Sequence, residues 1–260
     1  MLSSLSPEIK AVILDMDGVL WKDRQPIGDL PAIFSRIRSL GLNFILATNN
    51  AVRSVEQHQE KLARFGVFVE DWQVVNSGMA VAFLLNQEYP NGGPIYIVGE
   101  PGLTSTLFTK GFYLAEDDVI AVVAGYDRQI TFNKLSKATA LIRKGAPFYG
   151  TNPDKTFPTP EGLGPGAGSF LAFLEASTGI SPIIAGKPFP TLYNLAIRRL
   201  GLPADQILAI GDRLDTDILG AQMVGCRTGL VLSGVTSQNE LDQWSPTPDI
   251  VSPDLGSMLE

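Results

Sequence analysis

The chain has 260 residues, 45% of them hydrophobic and 18% charged, a globular composition long enough for one large domain or two smaller ones. Its 20 Lys plus Arg against 27 Asp plus Glu leave a net charge of −7, which repels phosphate backbones and anionic lipid and so argues against nucleic-acid and membrane-surface roles. One Cys and one His exclude an intrachain disulfide, a Cys/His zinc cluster and an HExxH site, leaving carboxylates, hydroxyls, amides and lysine to carry any chemistry.

At the start, Met1-Leu2-Ser3-Ser4-Leu5-Ser6-Pro7 shows neither the basic nor the apolar region of a secretory leader, and no apolar stretch is long enough to span a bilayer. A soluble cytoplasmic protein is expected. Lys10 to Asp15 is a β-branched, unbroken apolar run ending on a carboxylate. Unbroken rather than alternating runs are buried on both faces, as parallel strands are. The same pattern returns in Asn43 to Thr48, in Pro182 to Lys187 and in Gln206 to Asp212, each run delivering a polar residue at its end. Helical patterns lie between them, among them Leu30 to Leu40 closed by Gly41, Ser54 to Arg64, and Thr191 to Leu200 closed by Gly201. Strand and helix in alternation predict an α/β fold with a doubly wound parallel sheet. Ligands bind at the carboxyl ends of such strands, where Asp15, Thr48, Lys187 and Asp212 would gather.

The middle of the chain has its own punctuation. Pro90-Asn91-Gly92-Gly93-Pro94 leads into a strand at Ile95 to Val98, a helix near Leu103 to Lys110, a strand at Val119 to Ala124 and a helix at Asn133 to Lys144. This small α/β unit is expected as a second domain over residues 87–178, inserted into a core of residues 1–86 and 179–260. Gly162-Leu163-Gly164-Pro165-Gly166-Ala167 fits a loose dinucleotide-binding pattern. No strand precedes it and Pro158 and Pro160 argue against one, so a flexible return loop is expected.

Four short motifs carry the chemistry. Asp15-Met16-Asp17-Gly18 sets two carboxylates two residues apart at a strand end, where alternation lets both face one substrate. Thr48-Asn49-Asn50 adds a hydroxyl and two amides, Gly186-Lys187-Pro188 a cation, and Gly211-Asp212-Arg213-Leu214-Asp215-Thr216-Asp217 further carboxylates. Singly, each has a plainer reading as a turn, a helix cap or a surface charge. In this order and with these strand contexts, the motifs resemble those of the haloacid dehalogenase-like (HAD) phosphatases. The large insert after the second motif, with Val19-Leu20-Trp21 after the first, is similar to subfamily IIA of that family, which includes nitrophenylphosphatases and nucleotide-monophosphate, phosphoglycolate and pyridoxal-phosphate phosphatases.

That resemblance implies a Rossmann-like core, Mg²⁺ as cofactor and hydrolysis of small phosphorylated metabolites through an aspartyl phosphate. Asp15 would be the nucleophile and Asp17 the group that protonates the leaving oxygen and later activates water. Asp15, the backbone carbonyl of Asp17, and Asp212 would hold the metal, with Asp217 supporting its shell. Lys187, Thr48, Asn49 and Asn50 would hold the phosphoryl group, Thr48 also capping the helix that follows. Asp215 is read as a solvated loop residue, His58 as solvated on a polar helix face, and Cys226 as a small packed residue. The pyridoxal-phosphate branch carries a histidine near Phe157, which argues against that substrate here. The resemblance also implies that the inserted domain of residues 87–178 is a cap, and that the protein is a homodimer through that cap. A phosphotransferase or mutase using the same aspartyl phosphate is the alternative enzyme, and a phospho-ligand-binding protein without turnover the non-enzymatic one.

Overall fold

Residue 5 and residues 7–159 and 162–260 are described in the computed structural model, the side chains of 157–159 excepted. Ala11–Leu14 forms β1, buried along its whole length as its unbroken apolar run requires. It is the centre of a six-stranded sheet together with β4 (Asn43–Thr48), β5 (Val74–Asn76), β13 (Ile207–Gly211), β14 (Arg227–Val231) and β15 (Ile250–Ser252). The order is β15-β14-β13-β1-β4-β5, with β1 parallel to β4 and to β13. In this doubly wound order the chain leaves β1 in one direction and returns on its other side, so the switch point lies between β1 and β13. Helix α1 (Leu30–Ser39) is capped by the Asp29 carboxylate on the Ala32 N–H and buries Leu30, Ile33, Phe34 and Ile37. Helix α7 (Pro190–Leu200) ends on Gly201 at φ 67°. These elements belong to a unit made of residues 1–48, 55–75 and 187–260.

A second unit holds residues 49–54 and 76–186. Its sheet has the order β12-β9-β8-β6-β7, with β6 (Gly93–Val98), β7 (Phe112–Leu114), β8 (Ala121–Ala124), β9 (Phe148–Gly150) and β12 (Ile183–Ile184) paired in parallel. Helices α3 (Ser77–Glu88), α4 (Pro101–Phe108), α5 (Phe132–Arg143) and α6 (Ala167–Thr178) accompany it. Its core gathers Val98, Val122, Ala124, Leu141, Leu171 and Leu174. Among the described residues no helix is long and apolar enough to cross a membrane.

Several expectations are corrected. The run Pro182 to Lys187 is not a strand of the main sheet: only Ile183 and Ile184 pair, at the edge of the second sheet, with Ile183 half exposed. A two-residue edge strand leaves a short apolar run that mimics a buried one. The sixth strand of the main sheet is instead β5, preceded by no long apolar run. Both α3 and β12 fall in the second unit. Thr156–Thr159 (β10) and Gly162–Pro165 (β11) form an antiparallel hairpin where a flexible loop was expected. A two-stranded ribbon leaves its outward N–H groups outside the ladder, so proline is tolerated there. His58 is buried rather than solvated, because on α2 (Val55–Arg64) it stands one turn from Leu62 on the inward face.

Ile13→Ala in β1 should cost about 2–5 kcal/mol in a denaturant titration, whereas Ile183→Ala should stay within about 0.5 kcal/mol.

Candidate active site

Asp15 follows β1 and Asp212 follows β13, so the two flank the switch point of the first unit's sheet. Asp15 is held to the neighbouring strand by its N–H, which donates to Ile210 O at 2.9 Å. Beyond Asp212 the chain makes one π-helical turn, Leu214–Ile218. The wide turn is clamped by Asp217, whose Oδ2 accepts from the Arg213 N–H at 3.1 Å. Tyr193 on α7 donates its hydroxyl to Asp217 O at 2.9 Å, fixing the same turn from the helix side. Single π-turns of this kind concentrate at functional sites.

Lys187 joins these segments. Its Nζ donates to Asp15 Oδ1 at 2.5 Å and to Ala47 O at 3.0 Å and is paired with Asp217 Oδ1 at 2.6 Å. An ammonium has three donors, and here three acceptors receive them. One carboxylate oxygen each from Asp15, Asp212 and Asp217 lies within 4.8 Å of the others, an all-oxygen donor set of the kind that suits a hard divalent cation. Asp217 therefore stands within the carboxylate cluster itself.

Close approach of backbone to carboxylate makes room for this cluster. A Cβ on Gly18, which has φ 87°, would come within 2.3 Å of Asp212 Oδ2, and one on Gly234 within 1.9 Å of the same atom. Val235 N–H donates to Asp212 Oδ2 at 2.8 Å, and Ser233 Oγ to Gly18 O at 2.7 Å. The segment Ser233 to Val235 was missed in the sequence, although Ser-Gly directly after an apolar strand was a signal that could have found it.

Burial is the largest influence on Asp15 and pushes its carboxyl well above the ordinary range, helped by Asp217 and Asp212 and opposed by Lys187. For Lys187, burial works against the charge, but Asp15 and Asp217 prevail and hold it well above the usual lysine range. Burial, then the Asp217 charge, raises Asp212 to about 7, against the Val235 N–H and Lys187. Asp17 sits outside the cluster. β1 ends at Leu14, the chain turns, and the exposed Asp17 carboxylate accepts from Trp21 Nε1 at 2.7 Å.

Thr48 is buried as the last residue of β4; it caps no helix, since α2 begins only at Val55. Asn49 and Asn50 belong to the second unit. There Asn49 Nδ2 faces Asp154 at 3.3 Å, its carbonyl accepts from Ser77 and Asn152, and Asn50 Oδ1 accepts from Val52 N–H. Asp215 is exposed and paired with Arg213, and Cys226 is buried, its thiol pushed up to about 12 by desolvation. The Phe157 side chain lies outside the described residues.

A carboxyl at about 7 when folded, against 3.8 ordinarily, has a defined sign. The unfolded chain releases that proton more readily, so stability is full below about pH 4 and is lost as pH rises toward 7. With divalent ions chelated, Asp212→Asn should raise the melting temperature more at pH 8 than at pH 5. An equal change at both pH values would contradict the shift.

Known proteins resemble this chain along most of its length. The family model described as haloacid dehalogenase-like hydrolase matches residues 12–113, and a second, HAD-hydrolase-like, matches residues 184–258. The acid sugar phosphatase of Staphylococcus saprophyticus is 33% identical over 252 residues, 96% of this chain and 97% of that protein. Among solved structures, the p-nitrophenyl phosphatase from Archaeoglobus fulgidus superposes with a TM-score of 0.91 at 32% identity, covering 97% of this chain and 99% of the other. The glycerol phosphate phosphatase of Mycobacterium tuberculosis in complex with magnesium reaches 0.90 at 34% identity, covering 96% of this chain and 76% of the other. On likeness of this extent, the chain belongs to the haloacid dehalogenase-like hydrolases.

Proposed function

We propose that this phosphatase hydrolyses small phosphate monoesters, sugar phosphates and p-nitrophenyl phosphate among them, through an aspartyl phosphate on Asp15 and with Mg²⁺. The observation that carries this reading is the buried Lys187 joined to Asp15 and Asp217, with Asp212 in the same oxygen cluster. Names of the relatives agree with the substrate class: acid sugar phosphatase, p-nitrophenyl phosphatase and glycerol phosphate phosphatase.

The donor set fits the metal. Asp15, Asp212 and Asp217 offer oxygen alone, without nitrogen or sulfur, as Mg²⁺ prefers. When bound, Mg²⁺ supplies positive charge that offsets the repulsion between a carboxylate nucleophile and a phosphate anion.

The chain's own residues divide the rest. An oxygen of Asp15 attacks phosphorus, and the bond to the leaving oxygen breaks with its electron pair staying on that oxygen. Asp17 gives that oxygen a proton. Water then attacks the aspartyl phosphate and hands its proton to Asp17, and the Asp15 carboxylate returns with release of phosphate. Lys187 sets its positive charge beside the phosphoryl group, the Thr48 hydroxyl holds a phosphoryl oxygen, and Asp217 holds Lys187 in place.

Hydrolysis of p-nitrophenyl phosphate should require Mg²⁺ and stop in EDTA. Asp15→Asn should lose activity by at least about a thousandfold; retained activity would remove Asp15 as nucleophile. Lys187→Met should weaken KM and kcat together and also lower stability by about 3–5 kcal/mol, since it leaves two buried carboxylates without their cation. Unchanged kinetics in that variant would take Lys187 out of the site.

A further inference from the structure

Asp17 has to deliver a proton to one atom, yet its side chain is exposed and lies on a turn. An exposed carboxylate on a turn is free to rotate unless something holds it. Trp21 does so: its Nε1 donates to Asp17 Oδ1 at 2.7 Å. The indole itself cannot follow the carboxylate into other rotamers, because Trp21 is buried to 1% exposure. Its backbone is fastened on both sides, with Gly18 N–H donating to Trp21 O at 2.8 Å and Trp21 pairing with Pro26 in the β2–β3 hairpin (Trp21–Lys22 with Gln25–Pro26). The Phe65 ring lies against it at 6.0 Å between centroids.

Lys61, one helical turn before Phe65, places Nζ 3.8 Å from the centre of the indole ring. A cation at the face of an indole is attracted to the ring and draws on its electrons, which makes the edge N–H a better donor. A buried indole N–H also requires an acceptor, so the bond is maintained from both ends.

We propose that Trp21 is a positioning residue for the proton transfer at Asp17, its N–H occupying Oδ1 so that Oδ2 alone gives up and takes back the proton. This rests on the assignment of Asp17 as acid and base made above. A proton on Oδ1 would compete with the indole for that oxygen, whereas a proton on Oδ2 leaves the hydrogen bond intact in both charge states. The bond therefore persists through both half-reactions: Oδ2–H breaks as the leaving oxygen gains its proton, and Oδ2–H forms again as water loses one.

Two aryl phosphates of nearly the same shape separate this role from packing. Phenolate, with a pKa of about 10 like a tyrosine side chain, needs protonation to depart. The far more acidic p-nitrophenol departs as its anion. Trp21→Phe keeps an aromatic ring beside Phe65 and removes the donor. The ratio of kcat/KM for phenyl phosphate to that for p-nitrophenyl phosphate should fall roughly tenfold in this variant. An equal loss on both substrates, or none, overturns the proposal by reducing Trp21 to a packing residue. Should Trp21→Phe not fold, Lys61→Met decides, with an expected fall of about twofold in the same ratio, an unchanged ratio overturning the proposal. Asp17→Asn is the reference: a collapse of the ratio upholds the acid–base assignment whatever Trp21→Phe does, and an unchanged ratio overturns that assignment and with it the role built on it for Trp21.

Discussion

A single buried ammonium holds the carboxylate cluster of the first unit together. Lys187 is 2% exposed and Asp217 3%, so both charges have left water. Burying such charges costs more than an isolated pair returns, and the arrangement survives only because each donor finds an acceptor. Those acceptors come from three places: Asp15 after β1, Ala47 in β4 and Asp217 in the turn after β13. One cation thereby ties three neighbouring strand ends into a fixed array. Such an array contributes little to stability in itself, and it fixes the charges and donors in place, as the proposed phosphoryl transfer would need.

The backbone around the cluster is shaped to let carboxylates come close. Gly18 and Gly234 both abut Asp212, and a side chain on either would displace it. The π-turn widens the helix start so that Asp217 can reach back to the Arg213 N–H and still face Lys187. On the far side of the first motif, Trp21 turns the exposed Asp17 into a directed group. Two carboxylates that are neighbours in the sequence thus sit in opposite environments, Asp15 enclosed and Asp17 open to solvent. Such a split suits a nucleophile and a proton carrier.

Legibility followed the physics of each element. β1, β4 and β13 were plain in the sequence because strands buried on both faces must be apolar at every position. β12 imitated that pattern, and its partner β9 is 33 residues away from it in sequence or more, beyond the reach of local pattern. His58 looked solvated because its neighbours on α2 are polar, yet helical spacing turns it inward with Leu62. The β10–β11 hairpin was hidden by its prolines, which a ribbon of two strands can accommodate. Trp21 was noticed as part of a motif, but its bond to Asp17 depends on the fold of a tight turn.

The sequence by itself determined the class of fold, the identity of Asp15, Asp17, Lys187 and Asp212 as the residues of interest, and the order in which the chain presents them. These follow from local rules: side-chain periodicity, turn chemistry and the residue types that phosphoryl transfer demands. Tertiary structure decided which of them meet. Lys187 reaches Asp15 across 172 positions of sequence, and Asp217 enters the cluster through a turn whose width no local pattern announces. Distances of a few ångströms between residues so far apart are set by sheet order and close packing, which only the folded chain possesses.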